Sequence, residues 1–257
     1  MFWIDAFTDR VFGGNPAAVV PLDAWPASDL LQRIANENNL SETAFFVRTG
    51  PGRAHLRWFT PLIEIDLCGH ATLAAAHVLY HEFGETAPVL TFDTLSGPLH
   101  VSRRGSLIEL DFPARPASPA APSDALLRGL GTAPVAVLST PLLWMCVYAA
   151  QRDVADLSAD PAALAAAGPG RVIVTAPGDD CDFVSRFFAP DAGVPEDPVT
   201  GSSHCTLAPY WGARLGKAAL HARQVSRRGG ELWCALDGDR VRIAGRSVAY
   251  LRGTIGV

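Results

Sequence analysis

Lysine is almost absent from this 257-residue chain: Lys217 is the single lysine, and arginine supplies the rest of the positive charge. Basic residues form no cluster, and the formal net charge is −5 at pH 7. Proteins that bind nucleic acids present a concentrated Lys/Arg surface to the phosphates. The charge distribution therefore argues against a nucleic-acid partner.

Long apolar runs and paired cysteines are also missing. No uninterrupted apolar stretch reaches the length that spans a membrane. Residues 1–5 already contain an acid and lack the basic flank of a signal peptide. The five cysteines are odd in number and contain no CxxC pair, which is typical of reduced intracellular thiols. We therefore predict a cytoplasmic protein that has no membrane partner.

Motifs for cofactors and for several catalytic classes are absent as well. Neither GxGxxG nor GxxxxGK[ST] occurs, so no dinucleotide or nucleotide site is indicated. Ser203 and His204 are adjacent, but there is no GxSxG elbow, and triad partners meet in space rather than in sequence. His77 and His81 stand four residues apart without an HExxH motif or a third ligand. We predict no cofactor and no metal ion.

The composition that is present indicates a well-buried globular protein. Hydrophobic residues make up 49% and charged residues 18% of the chain, and the length suits two domains. The stretch 113–122 (PARPASPAAP) has little to bury and predicts an extended linker. We therefore predict domains at 1–113 and 123–257, with a last strand that can return to the first domain.

A strand–turn–helix pattern occurs twice in the chain. The first copy is strand 57–61 followed by helix 69–84, and the second is strand 186–190 followed by helix 201–216. Both helices run from glycine to glycine over the same number of residues. The repeat predicts an α/β (α+β) fold of two pseudo-symmetric domains. Each would be a mostly antiparallel sheet wrapped around a central helix, with a site between the domains.

The two helix starts are candidate binding sites for an anion. Backbone N–H groups of a first helical turn lack intrahelical acceptors and attract negative charge. The second helix begins after a loop that carries two carboxylates and ends in Thr200-Gly201-Ser202-Ser203, and the first helix begins at Gly69. These residues are predicted to bind a substrate carboxylate.

Three side chains near these helix starts are candidates for proton transfer. Glu42 lies among apolar residues, which raise the pKa of a carboxyl group, although a strand-edge Glu in water is the simpler interpretation. Asp197 is either a turn and cap residue or a catalytic group. His70 is either a hydrogen-bonded structural residue or a group that contacts the substrate. The residues alone leave these alternatives open.

Cys68 precedes the first helix, where a thiolate would be stabilised and could act as a base. A two-thiol racemase needs a matching cysteine at the second helix start. Pro198-Val199-Thr200 occupies that position, and Cys205 lies inside the helix. The sequence therefore disfavours a two-thiol mechanism.

Five stretches of the chain together resemble the PhzF-like phenazine-biosynthesis family. They are GNPAAV at 14–19, SETAF at 41–45, FTP at 59–61, DLCGHAT at 66–72 and EDPVTGS at 196–202. The resemblance implies the diaminopimelate-epimerase-like fold, a homodimer and no cofactor. In the family's best-understood activity, a glutamate moves a proton within a dihydro-hydroxyanthranilate ring. Glu42 matches that glutamate, and His70 and Asp197 match the motif histidine and aspartate.

The resemblance also implies that Gly69, Gly201 and Ser202 face the substrate, and we add Asn15, Thr200 and Ser203 to that set. We hypothesise a cofactor-independent isomerase similar to trans-2,3-dihydro-3-hydroxyanthranilate isomerase. It would act on a small cyclic or unsaturated carboxylate, with Glu42 as general acid/base. An amino-acid racemase or epimerase on the same fold is one alternative. A non-catalytic module that binds small molecules or proteins is another.

Overall fold

The computed structural model describes residues 1–257. The chain divides into two compact units. The first contains Met1–Asp111 and Ile243–Val257, and the second contains Phe112–Arg242. The C-terminal segment therefore belongs with the N-terminal part of the chain. None of the helices combines the length and the apolar character needed to cross a membrane.

The elements alternate between strands and short helices along the whole chain. Up to residue 113 they are β1 (Phe2–Ala6), β2 (Asn15–Leu22), α1 (Ser28–Asn38), β3 (Glu42–Gly50), β4 (Arg53–Phe59), β5 (Glu64–Ile65), α2 (Gly69–His77) with a π-helical turn (Val78–Glu82), β6 (Val89–Thr94), β7 (Gly97–Arg104) and β8 (Leu107–Pro113). They continue with β9 (Ser118–Pro119), α3 (Asp124–Leu130), β10 (Ala136–Thr140), β11 (Leu143–Val147), α4 (Gln151–Ala155), α5 (Pro161–Ala165), β12 (Val172–Pro177), β13 (Phe183–Ala189), a 3₁₀ turn (Pro190–Ala192), β14 (Val194–Asp197), a second 3₁₀ turn (Gly201–Ser203), α6 (His204–Leu215), β15 (Ala219–Gln224), β16 (Gly230–Asp237), β17 (Arg240–Gly245) and β18 (Ser247–Arg252).

Helix α2 forms the centre of the first unit. All of its residues are buried, and it contacts β1, β2, β3 and β18. Four of its nine residues are alanine, so strands can approach the helix closely from several sides. The helix has no solvent-exposed face because sheet surrounds it.

The strand register of the first unit fixes the position of Glu42. Strand β2 pairs with β1 antiparallel and with β3 in parallel, and Ala17 lies opposite Glu42. Helix α1 precedes β3 and ends at Asn39, whose left-handed backbone (φ 50°) lets its N–H bond to the Ala35 carbonyl. The chain then turns directly into β3, so Glu42 begins that strand beside β2.

Helix α6 has the corresponding place in the second unit. It contacts β15 and β16 and follows the 3₁₀ turn Gly201–Ser203. Trp211 is 1% exposed, stacks on Phe183 with ring centroids 5.7 Å apart, and donates a hydrogen bond of 2.9 Å to Thr175 Oγ1. These contacts hold the helix against the sheet through its middle.

Pro209 lies inside α6 and leaves one carbonyl of the helix without its helical partner. The segment 113–122 bonds to that carbonyl. A proline has no N–H, so the carbonyl four residues earlier, that of Cys205, loses its helical partner. The Arg115 N–H donates to this carbonyl at 2.8 Å. Within the same segment, Ser118–Pro119 form β9 and pair with β10. The predicted linker is therefore hydrogen-bonded to α6 and to a strand.

The strand pairs are mainly antiparallel in both units. The parallel pairs are β2–β3, β4–β6, β11–β12 and β13–β15. Each unit thus wraps mostly antiparallel strands around one buried helix, as the sequence repeat predicts.

Candidate active site

A cluster of polar side chains lies at the start of α2 in the first unit. Glu42 begins β3, Cys68 immediately precedes α2, and His70 is the second residue of that helix. His70 Nε2 lies 3.2 Å from Glu42 Oε2, and His70 Nδ1 lies 3.5 Å from Cys68 Sγ. The imidazole ring therefore connects the thiol on one side to the carboxylate on the other.

Two further side chains hold the imidazole. The Asn15 side-chain amide lies 3.3 Å from His70 Nδ1, and Ser41 Oγ lies 3.5 Å from His70 Nε2. His70 is only 5% exposed. Asn15, a predicted site residue, and Gly69, which begins α2, thus belong to the same cluster as Glu42 and His70.

One oxygen of Glu42 is buried and lacks an aligned hydrogen-bond donor. Its side chain is 16% exposed, and Oε2 is buried. The contact of Oε2 with His70 has the distance of an ion pair but not the alignment of a hydrogen bond. A buried carboxylate oxygen without an aligned donor can accept a proton from a bound molecule.

The pKa of Glu42 is lowered, whereas the apolar residues beside it in the sequence predict a raised pKa. Burial raises the pKa of Glu42, as its apolar neighbours predicted. The charge of His70 and polar contacts with His70, Ser41 and Cys68 lower the pKa, and together they outweigh burial. The pKa of Glu42 therefore lies below its ordinary value of 4.5, and the group is an ionised base at neutral pH.

The pKa values of His70 and Cys68, the neighbours of Glu42, are both raised. Burial lowers the pKa of His70, but Cys68 and Glu42 raise it well above the ordinary 6.5. Burial, and next the charge of Glu42, raise the pKa of Cys68 above 9.0, so this thiol is protonated near pH 7. Because the thiol is neutral there, the carboxylate is the group that favours a charged His70. The cluster is an ionised carboxylate in contact with His70, whose pKa is raised, with a neutral thiol beside it.

The same three side chains are the donors that a metal ion would use. A carboxylate oxygen of Glu42, Cys68 Sγ and a nitrogen of His70 lie within 4.8 Å of one another. However, His70 directs Nδ1 toward the thiol and Nε2 toward the carboxylate. An ion bound at one nitrogen therefore lies either on the thiol side or on the carboxylate side of the ring. The imidazole therefore lies between the thiol and the carboxylate.

The two histidines that the sequence places four residues apart form a different cluster. The His77 and His81 rings are 4.6 Å apart, and His77 Nδ1 lies 2.8 Å from Ser247 Oγ. Burial and the nearby His81 lower the pKa of His77 to about 4, so it is neutral at pH 7. His77 therefore has a structural role in the first unit.

The second unit carries the remaining predicted site residues around the start of α6. Asp197 ends β14, and its Oδ2 accepts a hydrogen bond from the Thr200 hydroxyl. The Thr200 carbonyl accepts hydrogen bonds from Ser203 Oγ at 2.7 Å and from His204 Nδ1 at 2.9 Å. Gly201, Ser202 and Ser203 form the first turn, and Ser202 is exposed. Their N–H groups belong to the class that lacks intrahelical acceptors.

His204 does not take part in a nucleophilic site. It is fully buried, and burial lowers its pKa to about 4 despite hydrogen bonds with the backbone of Thr200 and Gly201. A neutral imidazole that is bonded to a backbone carbonyl acts as a structural residue. This agrees with the expectation that Ser203 and His204 form no triad.

One buried residue near the start of α6 was not predicted from the sequence. Gln224, at the end of β15, is 1% exposed and hydrogen-bonds to Asp197 and Thr200. It lies in an ordinary strand sequence with no local motif. Only the pairing of β13 with β15 brings it to the loop before α6.

Comparison with known proteins assigns the chain to one family. The sequence profile of the phenazine biosynthesis-like proteins (PhzC-PhzF) matches residues 4–253. An uncharacterized isomerase of Pseudomonas aeruginosa is 52% identical over 252 residues, which cover 98% of this chain and 96% of that protein.

Solved structures agree with this relationship. A PhzF-family phenazine biosynthesis protein from Enterococcus faecalis has a TM-score of 0.96 at 43% identity, over 100% of this chain and 98% of that one. A hydroxyproline epimerase from Agrobacterium vitis shares the fold alone, with a TM-score of 0.58 at 12% identity over 97% and 90% of the two chains. The predicted diaminopimelate-epimerase-like fold is confirmed. The chain belongs to the phenazine biosynthesis-like (PhzC-PhzF) family.

Proposed function

We propose that this protein is a cofactor-independent isomerase that moves a proton on a small unsaturated carboxylate, with Glu42 as general acid/base. The observation that carries the proposal is the buried Glu42 Oε2, which is held ionised 3.2 Å from His70 Nε2 without an aligned hydrogen bond. The relative in Pseudomonas aeruginosa carries the name isomerase, which supports the reaction class.

The proposed reaction requires no oxidant or reductant. The Glu42 carboxylate removes a proton from a carbon next to the unsaturated system, and the electron pair of the broken C–H bond delocalises into that system. The carboxylic acid of Glu42 then returns the proton to a different carbon, so the double bond changes position. One group that serves first as base and then as acid is sufficient for this sequence.

The other predicted site residues receive supporting roles. His70 balances the charge of Glu42 and orients its carboxylate. Asp197 orients the substrate or shares the proton. The helix start in each unit, Gly69 with Asn15 in the first and residues 200–203 in the second, offers N–H groups of the kind that bind a carboxylate or a delocalised anion. The substrate most similar to this description is trans-2,3-dihydro-3-hydroxyanthranilate, and we propose a homodimer as the active form.

The pH dependence of kcat/KM tests the state of the carboxylate. Because the pKa of Glu42 is lowered, the base form persists down to pH values below 4.5. The fall of kcat/KM on the acid side of the profile, its acid limb, is therefore expected below that value. Because the pKa of His70 is raised, the alkaline limb is expected above pH 6.5. An acid limb that lies above pH 4.5 in a full pH-rate profile would contradict the proposed ion pair.

The same pair makes a stability prediction. Glu42 stabilises the folded state fully above pH 4.5, and this contribution is lost as the pH falls through its lower folded pKa. His70 stabilises it fully below pH 6.5, and that contribution is lost as the pH rises through its higher folded pKa. The contribution of the pair to the unfolding free energy is therefore complete between these values. Denaturant titrations of the wild type and a Glu42→Gln variant across this range measure it.

A racemase on the same fold makes a different prediction for Cys68. Burial keeps this thiol protonated, and the carboxylate mechanism does not use it. We expect Cys68→Ser to change kcat by less than about threefold, whereas loss of a catalytic thiol costs about 100-fold or more. Steady-state kinetics of this variant separate the two reaction classes. A loss of the larger size would favour the racemase.

A binding module without turnover is the remaining alternative. It predicts tight binding of a carboxylate ligand, with no hydrogen exchange on that ligand in heavy water. The proposed isomerase predicts exchange that depends on Glu42. Calorimetry and NMR on the same ligand distinguish the two.

A further inference from the structure

Gln224 uses both ends of its side-chain amide to hold the loop before α6. Its Oε1 accepts the Thr200 N–H at 2.8 Å. Its Nε2 donates to the Asp197 carbonyl at 2.7 Å and lies 3.4 Å from Thr200 Oγ1. Because the side chain is buried, these protein groups are its partners in place of water.

The chemistry of the partners fixes the orientation of this amide. The Thr200 N–H can only donate, and the Asp197 carbonyl can only accept. Exchanging the oxygen and nitrogen of Gln224 would place donor against donor and acceptor against acceptor. The amide nitrogen must therefore face the Thr200 hydroxyl.

The direction of the Thr200 hydroxyl follows from that orientation. With the Gln224 amide N–H directed at its oxygen, the hydroxyl accepts on that side and has one proton to donate elsewhere. That proton is directed at Asp197 Oδ2, which accepts the hydrogen bond of the hydroxyl. The result is a directed chain from amide to hydroxyl to carboxylate.

We propose that Gln224 is a positioning residue for the reaction, acting through Thr200 on the Asp197 carboxylate. It fixes the side-chain torsion of Asp197 and, through the Thr200 N–H, the backbone from which the first turn of α6 begins. This inference rests on the role that the proposed function gives to Asp197. It adds a residue that lies in a different strand and has no place in any of the sequence motifs.

A second side chain supports the same loop and provides a matched control. Ser226 Oγ donates to the Pro198 carbonyl at 2.6 Å, and it accepts the Gly229 N–H at 3.2 Å. Neither contact reaches Asp197 or Thr200. A Ser226→Ala variant therefore loosens the loop without altering the chain of hydrogen bonds to the carboxylate.

The test compares Gln224→Glu, Thr200→Val, Thr200→Ser and Ser226→Ala with the wild type, using trans-2,3-dihydro-3-hydroxyanthranilate. Gln224→Glu keeps the size of the side chain but cannot donate at neutral pH. We expect it and Thr200→Val to lower kcat by about 10- to 100-fold, with KM within about threefold of the wild type. Thr200→Ser retains the hydroxyl and is expected to restore kcat, and Ser226→Ala is expected to leave it unchanged.

Two results would overturn the inference. One is a kcat within about threefold of the wild type for both Gln224→Glu and Thr200→Val. The other is a loss that Ser226→Ala shares, together with an equal fall in melting temperature, because that would show a purely structural role. A Glu42→Gln variant in the same assay separates this inference from the proposed function. If Glu42→Gln is inactive and the Gln224 variant is normal, only the inference fails, whereas an active Glu42→Gln contradicts the proposed function itself.

Discussion

Glu42→Gln is expected to lower kcat by about 1,000-fold, because the amide cannot accept a proton from carbon. The substitution preserves the size and the hydrogen-bonding reach of the side chain, so the loss reports chemistry more than packing. It also removes the negative charge that favours the protonated form of His70, which lies 3.2 Å away. Steady-state kinetics, with circular dichroism to verify folding, measure the effect.

Glu109→Gln is a suitable control for that experiment. Glu109 is also a mostly buried strand glutamate in the first unit, with a side chain 11% exposed compared with 16% for Glu42, and it pairs with Arg104 at 3.5 Å. It lies outside the Glu42–His70 cluster, so we expect no change in kcat. Equal losses in both variants would indicate general destabilisation and would remove the evidence for a specific base.

His70→Gln is expected to lower kcat by about 100-fold and to change the pH profile in a defined direction. The charge of His70 and its contacts hold the pKa of Glu42 down, whereas burial alone raises it. Without the imidazole, the acid limb of the residual activity should therefore move upward, above pH 4.5. The pH-rate profiles of the variant and the wild type test this shift.

His77→Gln provides the comparison for this second prediction. His77 is also buried in α2, and its contacts are with Ser247 and His81. Because it lies outside the Glu42 cluster, this variant should retain both the rate and the wild-type acid limb. An unchanged acid limb in His70→Gln would show that His70 does not control the ionisation of Glu42.

The parts of the fold that depend on local pattern could be predicted from the sequence. Glycine at each helix start, together with the preceding strand and turn, marks both central helices. The apolar residues around Glu42 mark a buried strand. These signals arise within a few residues, where turn chemistry and periodicity dominate. The two central helices and the sheet that surrounds each of them follow from such signals.

The electrostatics of the site could not be read from the sequence neighbourhood of Glu42. The apolar residues beside Glu42 predict a raised pKa, and burial does act in that direction. The largest opposing effect comes from His70, which lies far along the chain and approaches only because α2 packs against β3. The direction of the shift is a property of the packed structure.

Two hydrogen-bonded contacts escaped prediction for a similar reason. The proline- and alanine-rich segment 113–122 has the composition of an extended linker. Its Arg115 N–H nevertheless bonds to Cys205, because Pro209 leaves that carbonyl without its helical partner. Gln224 reaches the Asp197 loop only through strand pairing. Neither contact has a signal within its own stretch of sequence.

The most direct test of the central claim follows hydrogen at the carbon that receives the proton. The product formed from trans-2,3-dihydro-3-hydroxyanthranilate is examined by NMR, either in heavy water or with substrate deuterated at the carbon that loses its proton. We predict that the wild type delivers deuterium to the receiving carbon in at least one of the two experiments, and that Glu42→Gln does so in neither. Deuterium transfer by Glu42→Gln at the wild-type rate would contradict the assignment of Glu42 as the acid/base.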